Sequence, residues 1–195
     1  MLLKNNTGFT LIELMITLSI VTVLLTTVLF NYSTFTDNLA ITSAEQEMAI
    51  AIRQAQTFGL NVREVSVSSG QFNYAFGIYF NPATPSDYYL FVDSNDDKKY
   101  TVGSGCGSGS TECVERFTLR NNVRITNVCD SGTCYNNKML NITFLRPSPD
   151  ARVYFMNSDG SPFSGPVVQG RIELTSQKGR VLRVSVESTG QITVE

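Results

Sequence analysis

The chain predicts an α+β protein: one long N-terminal α-helix followed by an antiparallel β-sheet domain. Three features carry that expectation. Residues 9–30 are apolar with a single charge, Glu13. From Ile41 to Phe58, apolar residues recur at spacings of three and four. Beyond Gly59, runs of strand-forming residues alternate with Gly, Pro, Ser and Asn.

The first run sets the scale. As a helix, residues 9–30 would be about 33 Å long, enough for a hydrocarbon core of roughly 30 Å. A carboxylate inside such a segment costs on the order of 3 kcal/mol, so Glu13 calls for a partner charge. The preceding residues 1–8 are short and polar, with one cation, Lys4. In a secretory signal the apolar region precedes its cleavage site. Here it follows Gly8, so a cut there would leave the apolar helix on the mature chain.

The second half of the helix is amphipathic. Ile41, Ala44, Met48, Ala51, Ala55 and Phe58 form one face, predicted to pack on a sheet. Glu45, Glu47, Arg53 and Gln54 are read as polar positions between them. Neither proline nor glycine interrupts residues 9–58, which would span about 75 Å, and Gly59 is the expected C-terminal stop. Strands are expected over 62–68, 72–80, 88–92, 117–119, 123–125, 140–145, 152–155, 171–176, 181–187 and 191–195. Residues 146–152, with two prolines, read as a hairpin turn, and 103–109 as a flexible glycine-rich loop that a disulfide at Cys106 could hold. The expected division is a leader at 1–8, a transmembrane half-helix at 9–30, an amphipathic half-helix at 31–59 and a β-rich head at 60–195.

Composition narrows the function. The chain has 195 residues, a net charge of −2 and no histidine. The commonest general base and metal ligand are therefore missing. Serine and threonine have no visible activator, and no glycine loop suits phosphate binding, so an enzyme is not expected. The mild negative charge supplies no global field for nucleic acid. Cys106, Cys113, Cys129 and Cys134 lack Cys-x-x-Cys spacing and a histidine to complete a zinc site. Beyond a membrane anchor they suggest two disulfides in an oxidising compartment, with three pairings open and four free thiols as the alternative.

Other motifs are weaker. Asp93, Asn95 and Asp97 have the spacing that opens many calcium loops. Lys98 and Ser104, however, stand where an EF-hand needs glycine and glutamate, and Lys98 and Lys99 would repel a cation. Calcium is the one candidate cofactor; a solvated acidic turn is the alternative. Lys178, Arg180 and Arg183 form a basic cluster, for which strand alternation places the first two on one face and the third on the other. Asn141-Ile-Thr143 fits a glycosylation sequon but lies inside an expected strand.

The run Gly8-Phe9-Thr10-Leu11-Ile12-Glu13-Leu14-Met15 resembles the class III signal of type IV pilins and type II secretion pseudopilins. The resemblance implies the pilin fold, cleavage after Gly8 by a prepilin peptidase and methylation of the new Phe9 amine. It also implies that Glu13 pairs with the terminal ammonium of a neighbouring subunit. Major pilins often carry a helix-breaking glycine and proline that residues 18–30 lack, which favours a minor pilin or a pseudopilin. The closing stretch resembles FimT/GspH-type proteins: Gly170-Arg-Ile-Glu-Leu, then Lys178-Gly-Arg-Val-Leu-Arg-Val-Ser-Val, then Gly190-Gln-Ile. Some FimT-type proteins of DNA-uptake pili bind DNA through a Gly-Arg-x-Arg motif; here Gly179-Arg180-Val181-Leu182-Arg183 has one extra residue. Some major pseudopilins bind calcium. The implied partners are other pilin or pseudopilin subunits, prepilin peptidase, an inner-membrane assembly platform and, as an alternative role, DNA. The implied location is the inner membrane, with the head outside the cytoplasm, and then a pilus or pseudopilus.

Overall fold

The computed structural model describes residues 8–61, 74–101, 106 and 112–195. The leader residues 1–7, the expected strand 62–68, the start of 72–80 and most of the loop 103–109 lie outside the described residues. Helix α1 (Leu11–Leu60) runs unbroken for 50 residues. The chain divides into two units, Met1–Thr36 and Asp37–Glu195.

In the first unit, every described apolar side chain of the helix is exposed. The second unit holds the core. Ile41, Ala44, Met48, Ala51, Ile52 and Ala55 are buried on one face of α1, as the spacing predicts. Phe58 is partly buried and meets Phe76 edge-on.

The described strands form two antiparallel sheets rather than one. The first contains β1 (Ala75–Phe80), β2 (Asp87–Asp93), β3 (Cys113–Thr118), β6 (Lys138–Phe144), β7 (Ala151–Asn157) and β8 (Pro162–Val167), in the order β3-β2-β1-β6-β7-β8. The second contains β4 (Arg124–Cys129), β5 (Cys134–Tyr135), β9 (Gln169–Thr175), β10 (Val181–Glu187) and β11 (Ile192–Val194), in the order β11-β10-β9-β4-β5. Ile78, Phe80, Leu90, Ile142 and Phe155 of one sheet and Ile125, Val128, Ile172, Leu174 and Val184 of the other join the helix stripe in one core. Strand β1 is buried on both faces, because Tyr79, Phe91 and Tyr100 build a second cluster behind it. The hairpin turn joins β6 to β7 where residues 146–152 predict it.

Four expectations need correction. Gly59 is not the stop: α1 continues to Leu60. Its glycine serves close packing, since a Cβ there would lie 2.4 Å from the Phe144 carbonyl oxygen, and the Gly59 carbonyl accepts the Arg146 N–H. Glu45 is buried, 6% exposed, because it follows Ile41 by four residues and so shares the core-facing stripe. Burial pushes its carboxyl above the usual glutamate range, and its Oε1 has no hydrogen-bond partner. Strand β8 was not expected from Pro162-Phe-Ser-Gly-Pro166; it is an edge strand, where a missing proline N–H leaves no ladder bond unmade. The two-residue β5 is too short to carry a strand pattern. The sequon lies inside strand β6, as expected: Asn141 is 0% exposed, and its Oδ1 accepts the Tyr100 N–H.

Gly59→Ala should cost about 1–3 kcal/mol by overpacking. A denaturant midpoint measured on the detergent-solubilised chain checks this; an unchanged midpoint would mean that β6 shifts freely to admit the methyl.

Candidate functional site

The N-terminal half of α1 is built to live without water. Thr10 precedes the helix and its hydroxyl accepts the Glu13 N–H at 3.3 Å. Thr10-Leu-Ile-Glu13 is thus a capping arrangement, with Glu13 three residues after the cap, where a carboxylate also suits the positive end of the helix dipole. This local role was readable from the Thr-x-x-Glu spacing. Five hydroxyls in the apolar segment bond back to their own helix: Thr17 to Leu14, Ser19 to Ile16, Thr22 to Leu18, Thr26 to Thr22 and Thr27 to Val23. Each hydroxyl donor is satisfied internally, which lowers the cost of placing it in hydrocarbon. Gly8 and Phe9 are exposed just before the helix, and a Cβ at Gly8 would meet nothing within 4 Å. The helix is long and apolar enough to cross a membrane by length and composition.

The acidic turn gathers a residue that spacing does not reveal. Asp93 caps the turn, accepting the N–H of Asp97 at 3.0 Å and of Lys98 at 3.0 Å. Asn95 Oδ1 also accepts the Asp97 N–H, and its amide donates to Asp97. Glu112 comes from the far end of the β2–β3 connection. It accepts the Ser94 hydroxyl at 3.2 Å and the Thr101 N–H at 2.8 Å. One oxygen each of Asp93, Asp97 and Glu112 fall within 4.8 Å of one another, so these three, rather than Asp93, Asn95 and Asp97, could hold a hard cation. Burial raises the Asp93 pKa, and the charges of Asp97 and Glu112 add to the rise, against the backbone N–H groups of Lys98 and Asp97. Lys98 and Lys99 instead pair with Asp96 and Asp97. Cys129, Cys134 and Glu173 also converge, but those sulfurs are consumed in a disulfide.

The cysteines pair as neighbours, Cys106 with Cys113 and Cys129 with Cys134. Cys129 and Cys134 face each other in register across β4 and β5.

The basic cluster is dispersed by its surroundings. Lys178 and Arg180 lie in the turn between β9 and β10, not on a strand face as alternation predicts, because the strand resumes only at Val181. Gly179 makes this turn possible with φ +83°. Arg183 is on β10, and its guanidinium donates to Glu173 at 2.8 Å, with Asn127 on the other carboxylate oxygen. Asn127 and Arg183 together hold the Glu173 pKa below its ordinary range against burial, which is the largest single influence and pushes the other way. Arg180 donates to Asn38 at 2.8 Å. A shared phosphate-binding face formed by all three cations is not present.

The family model described as the prokaryotic N-terminal methylation motif matches residues 3–29. Neither a curated protein nor a solved structure matches the chain. The match covers the N-terminal segment alone, and the long helix with its antiparallel β domain is a pilin-like α+β arrangement.

Carboxylates of the head with lowered pKa, Asp87 and Asp130 among them, tie its stability to pH. Hydrogen bonding from Arg116, then from Thr118, holds Asp87 below the ordinary 3.8. The N–H groups of Gly132 and Thr133 do the same for Asp130. A depressed folded pKa contributes stability above the unfolded value and loses it as pH falls through the folded value. The head should therefore lose stability below about pH 4. Asp87→Asn should be less stable than wild type at neutral pH, with the gap closing in acid. Denaturant midpoints across pH 2–7 check this, and a gap independent of pH would refute it.

Proposed function

We propose that the chain is a structural subunit of a thin membrane-anchored filament, of the FimT/GspH-like minor class, in a type IV pilus or a type II secretion pseudopilus. The precursor is inserted through residues 9–30, with residues 1–8 cytoplasmic. Prepilin peptidase cuts after Gly8, and the new Phe9 amine is methylated. The head stands outside the inner membrane, where an oxidising compartment suits the two disulfides. An assembly platform in that membrane then moves the subunit into the filament, where its half-helix packs against those of other subunits.

The observation that carries this reading is the N-terminal half-helix. It is apolar all round, its hydroxyls close on their own backbone, and Glu13 is its one charge. Between packed helices, the attraction of Glu13 for a neighbouring Phe9 ammonium is far stronger than in water. It favours one register of subunit against subunit. A DNA-binding role for Lys178, Arg180 and Arg183 has less support, since Arg183 is ion-paired with Glu173.

Mass spectrometry of sheared filaments tests the processing. A peptide beginning at methylated Phe9, at low stoichiometry, is expected; an intact leader on all of the protein would overturn the reading. Glu13→Ala and Glu13→Gln separate the two roles of that residue. Glutamine can keep the cap but not the charge. Both variants should insert normally and lower incorporation by about a hundredfold, the scale set by a cost of roughly 3 kcal/mol for an uncompensated intramembrane charge. Wild-type incorporation of Glu13→Gln would leave capping as the only role of the carboxylate.

A further inference from the structure

A shallow polar hollow of about 380 Å³ opens on the five-stranded sheet beside the β9–β10 turn. Asn122, Arg124, Thr126, Thr175, Ser176 and Gln177 line it. The lining is one guanidinium, two carboxamides and three hydroxyls, with no carboxylate. The three hydroxyls are engaged within the fold, Ser176 with Asp37 and Thr126 with Glu173 and Thr175, so arginine, which matches phosphate oxygens in a planar fork, and the two side-chain amides are the donors left for a phosphate ester. Arg124 and Gln177 are exposed at its mouth, and among the described residues no carboxylate forms an ion pair with Arg124. Lys178 and Arg180 follow directly on the same exposed turn.

The turn is tied to the start of the head. The Ser176 hydroxyl donates to Asp37 Oδ2 at 2.6 Å, and the Lys178 N–H donates to Asp37 Oδ1 at 3.3 Å. Arg180 donates to Asn38. Asp37 is seven residues past Phe30, the end of the apolar run. Chain length alone keeps it within about 25 Å of Phe30. Headgroups occupy the 5–8 Å or so beyond each edge of the hydrocarbon core. When residues 9–30 span the bilayer, this short connection allows the hollow and its basic rim to reach the headgroups.

We propose that the hollow binds the phosphate headgroup of an anionic phospholipid while the subunit is stored in the membrane, with Arg124 as the central donor and Lys178 and Arg180 on the rim. This rests on the membrane-spanning reading of residues 9–30 and adds a lipid partner for the head. Such contacts are worth little individually and are screened by salt, so the site would release its lipid when the subunit leaves the bilayer.

The test uses the full chain in nanodiscs of phosphatidylcholine with and without phosphatidylglycerol. Native mass spectrometry after release from the disc counts retained lipid, and alkaline extraction checks integration. Wild type should retain phosphatidylglycerol in preference to phosphatidylcholine. Arg124→Gln should lower that retention about fivefold, the effect of one basic side chain at an anionic surface. Lys178→Gln, on the exposed turn, should lower it in the same direction. Arg152→Gln, an exposed cation on the other sheet, should not. Equal retention by wild type and both variants would overturn the proposal while leaving membrane integration intact. Failure to integrate would overturn the spanning reading and the proposal with it. Displacement of the lipid by millimolar inorganic phosphate would identify a free-phosphate site instead. Tight binding of a fluorescent DNA duplex, lost in Arg124→Gln, would make the ligand nucleic acid. Either of the last two results would also overturn the lipid assignment.

Discussion

The head depends on one stripe of α1. Ile41, Met48, Ile52 and Ala55 are fully buried, and both sheets converge on the core they share. Apolar side chains facing that stripe are large on one sheet, with Phe80, Phe144 and Phe155, and branched on the other, with Ile172, Leu174 and Val184. Interiors are close-packed, so such a helix is a fixed strut against which strand register is set. The approach is tightest at Gly59, where the chain needs the absence of a side chain more than it needs helix propensity.

The same helix meets a different demand before Asp37. There the apolar residues face outward on all sides, and the polar residues among them direct their hydroxyls to backbone carbonyls. A core helix needs one apolar face; a helix surrounded by lipid or by other helices needs apolar surface all round. Composition changes at the point where the demand changes. Asp37 and Asn38, the first residues of the head, are already engaged by the β9–β10 turn. At the other end, Gln56 donates to the carbonyls of Pro149 and Gly190 and ties α1 to two turns at once.

Polar side chains in the head mostly serve the backbone. Asp93 accepts the N–H groups of Asp97 and Lys98 and Glu112 that of Thr101, and Asp130 does the same in the β4–β5 turn. These carboxylates look like ligand clusters when read as spacing. In the fold, most of their acceptor capacity is already taken up by the chain, as buried polar groups require. Glu45 is a carboxylate that departs from this, with one oxygen lacking a hydrogen-bond partner, as do the Thr143 and Ser185 hydroxyls.

The sequence by itself determined the local features. Helix length, the membrane-competent half, the amphipathic stripe and most strands follow from periodicity, because each depends on residues a few positions apart. The methylation motif matched over residues 3–29 is contiguous and equally legible. Only the tertiary structure decided what depends on distant residues meeting. It divided the strands between two sheets, paired the cysteines as neighbours, and joined Glu112 to Asp93 and Asp97. It neutralised Arg183 with Glu173 and set Arg124 beside Ser176 and Gln177. None of these has a period. Each is set by which backbones the core brings together, and hydrogen bonding and burial then assign the role of every polar group caught there.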